Sequence, residues 1–166
     1  MLVGEQPGDQ EDLAGKPLVG PAGKMLDRAL VDAGVDRAQV YVTNIVKHVK
    51  NEPRGKRRLH KKPNRYEVAV CKVWFDQELA LVQPQIVVAL GVTAASALVG
   101  KSVTLSKLRG QVVAFAIAGG RQGIVTIHPS SILRAPEEAG RRAAYAGLVK
   151  DLKLASRQVA GLSRAA

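Results

Sequence analysis

The sequence predicts a three-layer α/β fold with a largely parallel sheet, and three observations lead there. Short β-branched runs alternate with helical patterns along the chain, as at residues 39–44, 86–91 and 123–127. One of them, Ile86-Val87-Val88-Ala89-Leu90-Gly91, is apolar without a break, the pattern of a parallel strand covered on both faces. The 166 residues are enough for one domain with a sizeable core and too few for two of typical size, so a single domain over 1–166 is expected.

Leu2-Val3 reads as the end of a buried strand that opens into Gly4-Glu5-Gln6-Pro7-Gly8-Asp9. Gly4 and Gly8 allow close backbone approach and Pro7 stiffens the turn between them. In residues 24–33, Met25, Leu26, Ala29, Leu30 and Ala33 recur at helical spacing, and Gly34 stands where a left-handed cap belongs. Residues 39–44 form a short strand ending in Asn44, which either turns the chain or offers its amide to the amide edge of a pyrimidine. A basic loop over residues 47–63 follows. Asn64 with Glu67 reads as a capping box, opening a helix whose broad apolar face runs from Val68 to Val82 and takes Trp74 and Phe75 into the core. After strand 86–91, a short helix is expected at 93–98 and strands at 111–117 and 123–127. A helix over about 136–159 ends the fold, with a frayed tail.

The formal charge of +11 and pI near 10.2 point to a polyanionic partner, because Lys and Arg gain affinity by releasing counterions from phosphate. Ribosomal or membrane-surface binding would use the same charge. Nine of the 25 Lys and Arg residues lie between Lys47 and Arg65, against one acid, Glu52. A run this dense is either a solvated loop or a working surface. One cysteine, Cys71, excludes an intramolecular disulfide framework and suits a reducing cytoplasm. No apolar run is long enough to span a bilayer, and no signal peptide is expected.

Three strand-end loops carry the unusual chemistry: Glu5 to Asp9, Asn44 with the basic loop, and His128-Pro129-Ser130-Ser131. Parallel strands bring such ends to one edge of a sheet, where open α/β folds bind ligands. The acids Glu5, Asp9, Glu11 and Asp12 would repel phosphate if all faced it, so at least one is aimed at water or at a developing positive charge, unless the segment is a plain acidic surface turn. No GxSxG, Walker or GxGxxG pattern is present.

Gly4-Glu5-Gln6-Pro7-Gly8-Asp9-Gln10-Glu11-Asp12, Val19-Gly20-Pro21-Ala22-Gly23, Thr43-Asn44 and His128-Pro129-Ser130-Ser131-Ile132-Leu133-Arg134 stand in an order that resembles the uracil-DNA glycosylase superfamily. The insertion Lys56-Arg57-Arg58-Leu59-His60 resembles its UdgX branch. The resemblance implies an α/β/α sandwich around a central four-stranded sheet, and a protein that flips uracil out of DNA, favouring single strands. It implies Gln6, Gly8, Asp9, Leu18, Asn44 and His128 as the uracil pocket, with His128 stabilising the departing uracil anion. Glu5 and His60 complete the catalytic set: His60 captures C1′ of the sugar in place of water and stays covalently attached, while Glu5 supports the capture electrostatically or as proton acceptor. Lys56, Arg57, Arg58, Ser130, Ser131 and Arg134 are implied as DNA contacts. A monomer in the bacterial cytoplasm, associated with nucleoid DNA and not with membrane, is expected.

Two departures accompany the resemblance. Leu18 stands where relatives usually carry a stacking Phe, giving apolar contact without a π-face. The family also implies a [4Fe–4S] cluster, of whose four ligand positions only Cys71 and His48 are found, and two ligands cannot close the site. Two other readings compete with covalent capture: a turnover uracil-DNA glycosylase in which His60 only binds DNA, and a catalytically inactive DNA-binding homologue.

Overall fold

The computed structural model describes residues 1–55 and 57–165. Its sheet is built from β1 (Leu2–Gly4), β2 (Val42–Asn44), β5 (Val87–Leu90), β6 (Val112–Phe115) and β7 (Arg121–Thr126), in the order β2-β1-β5-β7-β6. The first four in that order run parallel, and β6 adds an antiparallel edge through a tight return onto β7. The expected four-stranded sheet therefore has a fifth strand. Gly119 and Gly120, both at positive φ, turn the chain directly between β6 and β7, and so short a return can only be antiparallel.

Alternation along the parallel strands explains the layers. Leu2, Val88, Leu90 and Ile124 face one side, with Leu26, Leu30, Leu148 and Leu152 from α2 (Pro21–Asp32) and α7 (Glu138–Ala165). Val3, Val87, Ala89 and Val125 face the other, with Phe75, Leu79, Ala94 and Leu98 from α3 (Arg65–Val82) and α4 (Val92–Val99). Both faces are buried, as a parallel sheet requires, and each large apolar side chain taken from water contributes about 1.5–3 kcal/mol. Among the described residues, no helix is long and apolar enough to cross a membrane.

Several boundaries differ from expectation. The capping box at Asn64 and Glu67 forms with both reciprocal hydrogen bonds, and Gly34 takes its left-handed conformation. However, α3 buries a narrow stripe, Cys71, Phe75 and Leu79 at i, i+4 and i+8. Trp74, one step of about 100° away, is 58% exposed instead of core. The final helix continues to Ala165 where a frayed tail was expected. The basic segment is no open loop but a hairpin, β3 (Asn51–Arg54) with β4 (Arg57–His60), paired Asn51 to His60 and Arg54 to Arg57 around Gly55 at positive φ.

Candidate active site

The order β2-β1-β5 places a crevice at the carboxyl ends of β1 and β5, where consecutive parallel connections leave in opposite directions. A cavity of about 830 Å³ opens there, lined among others by Glu5, Gln6, Asn44, His60, Leu90 and His128. Gly4 lies opposite Asn44 in the β1–β2 register, and the chain beyond stays paired through Ile45 N–H to the Gly4 carbonyl (2.9 Å) and Val46 N–H to the Glu5 carbonyl (3.0 Å). Asn44 is buried. Its Oδ1 would lie 2.3 Å from a Cβ at Gly4, so any side chain there displaces the amide. Gly4→Ala is expected to displace the Asn44 amide and to destabilise the protein by about 1–3 kcal/mol, read by thermal unfolding; an unchanged melting temperature would contradict this close fit.

Asn44 is held from behind. The Lys47 ammonium donates to the Asn44 carbonyl (2.7 Å), to Thr43 Oγ1 (2.7 Å) and to Glu78 Oε2 (2.6 Å), and Thr43 Oγ1 itself donates to the Glu78 carboxylate (2.9 Å). Leu18 borders the cavity at φ 51°, a left-handed conformation uncommon for leucine. Its carbonyl rests against the backbone of Gly23, where a Cβ would approach to 1.7 Å. Sequence reasoning placed Leu18 in the pocket but could not see this strain.

His128 follows β7 and caps α6 (Pro129–Arg134). The Ser130 backbone N–H donates to its Nδ1 (3.2 Å), with Ser130 Oγ at 2.8 Å from the same atom. Nδ1 is thus an acceptor, and the ring proton of the neutral imidazole sits on Nε2. That atom faces Gly4 and Asn44, as the 3.7 Å approach to a Gly4 Cβ indicates. The imidazole is pushed down to about 4, chiefly by burial, with Glu5 opposing the shift, Arg134 and His60 adding to it and Glu11 weakly opposing it. At neutral pH, His128 is an uncharged Nε2–H donor. Ser131 Oγ donates to the His128 carbonyl (2.7 Å) and Arg134 to Ser130 Oγ (3.0 Å), so these residues all brace the histidine.

The hairpin brings His60 to the rim of the cavity, its side chain half exposed, with Nε2 3.3 Å from Glu5 Oε1 and 2.8 Å from Gln6 Nε2. Arg58 Nε meets Asp9 (3.0 Å) and its Nη1 meets Asp12 (2.9 Å), tying the hairpin to α1 (Asp9–Ala14). Pairs this exposed are screened by solvent, so they bias the hairpin without fixing it.

The sequence-derived residues thus separate. Glu5, Gln6, Gly8, Leu18, Asn44, His60, His128, Ser130, Ser131 and Arg134 all border the cavity. Asp9 does not; it is turned outward to Arg58. Lys56 lies outside the described residues, and Arg57 is described only as backbone of β4. Glu11, Lys62 and Thr93 were missed as cavity residues. Glu11 accepts the Gly20 N–H (2.8 Å) and joins α1 to the start of α2, a role no local pattern encodes. Thr93, second residue of α4, buries an Oγ1 without a partner among the described residues; its position just after the strand-end Gly91 was the available signal.

Cys71 belongs to the core, and its Sγ lies 3.7 Å from His48 Nδ1. Among the described residues no third His, Cys, Asp or Glu joins them. These two residues do not fit a four-ligand cluster by themselves, and no chemistry is derived through one.

Comparison with known proteins adds a consistent pattern. Residues 1–153 match the family model described as "Uracil DNA glycosylase superfamily". A "Type-4 uracil-DNA glycosylase" of Thermotoga maritima is 38% identical over 81% of this chain and 66% of its own length. Proteins of the same name from Pyrobaculum aerophilum (37%, over 84% and 70%) and Archaeoglobus fulgidus (33%, over 82% and 68%) are also similar. The chain spans about two-thirds of the length of these relatives.

Proposed function

The chain belongs to the uracil-DNA glycosylase superfamily, and from that membership we propose that it excises uracil from DNA and that His60 then bonds to C1′ of the emptied sugar. The observation that carries the capture is the position of His60 Nε2 beside Glu5, at the rim of the cavity that holds Asn44 and His128. A flipped uracil enters that cavity most cheaply from single-stranded DNA, where no base pair must break. Asn44 pairs with the amide edge of the base. Lys62 and Arg134, which line the cavity, contact the phosphates, and the charge that Lys56 and Arg57 add to the sequence strengthens the attraction.

The chemistry follows from the donors at hand. The C1′–N1 bond breaks with its electron pair going to the base, and charge builds on O2 of the departing uracil anion. The neutral Nε2–H of His128 donates to that oxygen. A preorganised donor of this kind in a partly desolvated site is worth roughly 10²–10³ in rate. The sugar is left cation-like, and the Glu5 carboxylate stabilises it. His60 supplies the lone pair that forms the C1′–N bond, and the resulting imidazolium sheds its remaining ring proton to solvent. A nucleophile held this close has an effective molarity that outcompetes water.

The test mixes the protein with a uracil-containing single-stranded oligonucleotide and resolves the products on a denaturing gel. The expected result is a heat- and detergent-resistant protein–DNA band that disappears with His60→Ala. Free uracil in many-fold excess over protein, with no such band, would establish the turnover reading instead. Neither band nor uracil would leave a DNA-binding homologue.

A further inference from the structure

The outward face of α7 carries charge that the cavity does not use. Arg142, Lys150, Lys153, Arg157 and Arg164 are all exposed and stand at i, i+8, i+11, i+15 and i+22 of one helix. At about 100° and 1.5 Å per residue they share an arc of about 80° and a length of about 33 Å. Leu148, Asp151, Leu152 and Ala155 are buried on the opposite side. None of the five cations borders the cavity.

Little on that face offsets the charge. From Ala139 to Ala165 the only acid is Asp151, which is buried and paired with Arg109 (2.8 Å). Glu138 pairs with Arg142, and among the described residues Lys150, Lys153, Arg157 and Arg164 make no ion pair. A helix face built only for solvent gains from interleaved acids at i, i+4, and this one leaves like charges beside each other. The exposed positions between and beside the cations are Ala143, Ala146, Ala160 and Gly161. Side chains this small let a partner approach the whole row at once.

The composition of the face selects the partner. A helix that lies on a membrane needs a free apolar side, and α7 spends its own on the core through Leu148 and Leu152. A protein partner needs a buried aromatic or aliphatic anchor, and none stands among the cations. Single strands are held by stacking on aromatic rings as well as by charge, and the row has no ring. Duplex DNA asks for neither anchor nor ring, because its phosphates lie outside. Along about 33 Å, close to one turn, each strand presents about ten of them.

We propose that α7 is a second DNA-binding surface, on which this row of cations holds the phosphate backbone of duplex DNA away from the cavity. It rests on DNA being the partner, as proposed above, but uses a different surface and no uracil. Attachment there is independent of sequence, and it raises the effective concentration of DNA at the cavity.

The test titrates the whole chain with a uracil-free duplex several turns long, over a series of salt concentrations. In Lys150→Gln/Lys153→Gln/Arg157→Gln the affinity should fall about tenfold or more, and the slope of log affinity against log salt should become shallower by about 3. Lys101→Gln/Lys107→Gln/Arg121→Gln, which removes the same charge elsewhere, should leave the slope nearly as it was. Circular dichroism checks that both variants are folded. Excision from a short single-stranded oligonucleotide should be unchanged in the α7 variant, since its three positions lie outside the cavity. An unaltered slope in the α7 variant, or an equal change in the control, overturns the proposal. So does loss of binding to anionic phospholipid vesicles with duplex binding intact. Failure of the unsubstituted protein to excise uracil would sink the proposed function instead, and would leave the duplex titration as the measure of α7.

Discussion

With capture by His60 as proposed above, replacing it by serine is expected to turn a single release of uracil into repeated release. The groups proposed to break the glycosidic bond stand on other elements: Asn44 at the end of β2, His128 after β7 and Glu5 after β1. His60 enters from the hairpin, with its side chain 51% exposed. Serine removes the ring and leaves a space open to solvent beside Glu5. With the imidazole in place, an effective molarity of about 10⁵ M or more lets it take the sugar cation before water does. Without it, the shorter serine side chain does not reach the sugar, water entering beside Glu5 takes it, and the product dissociates. Free uracil per protein, measured by chromatography over hours, should rise from about one equivalent to about ten or more, while the detergent-resistant band vanishes. A folded His60→Ser protein that releases no uracil would mean that the histidine takes part in bond breaking as well.

The contrast between His60 and its supports shows what a sequence can carry. The strand-end motifs around Glu5, Asn44 and His128 were legible because parallel strands have only one carboxyl edge, so three separated loops had to meet. Val87 to Leu90 were legible because burial on both faces erases any polar alternation. The hairpin was not. Asn51 to Arg54 and Arg57 to His60 carry neither alternation nor β-branched residues, and Pro53 argues against a strand; its position in an isolated two-stranded ribbon relaxes that objection. What secures the ribbon is long-range: the Gln6 amide at its base, and Asp9 and Asp12 holding Arg58. Contacts separated by more than forty residues leave no local pattern. For the same reason Asp9 read as a pocket residue and is found turned away from it. Trp74 was misjudged for a different reason, because composition shows that a helix is apolar but not how narrow a stripe its neighbours will cover.

His128→Asn is expected to lower uracil excision by roughly 10²–10³, and also to flatten the acid side of the stability profile. Asparagine is a strong helix N-cap, so its side-chain oxygen can take over the Ser130 N–H that His128 Nδ1 now accepts, and α6 keeps its start. What is lost is the Nε2–H donor and the titrating ring. The sign of the pH effect follows from the two states. In the folded protein the imidazole sits at about 4, held down chiefly by burial; unfolded, it returns to its ordinary value near 6.5. As pH falls below 6.5, the unfolded chain takes up a proton that the folded protein refuses. The stability present above pH 6.5 is therefore lost progressively down to about pH 4 and changes little below it. A gap of about two and a half units corresponds to about 3 kcal/mol. Urea unfolding at pH 7 and pH 4.5 should show a larger fall for the unsubstituted protein than for His128→Asn, the difference isolating this residue from carboxylates common to both. An equal fall in the two proteins would place the imidazole in water. The same neutrality bears on the reaction, because a donor already uncharged at pH 7 gains nothing from mild acid. Excision by the His60→Ser variant should accordingly not accelerate between pH 8 and pH 6, as it would if His128 had to be protonated to stabilise the leaving uracil.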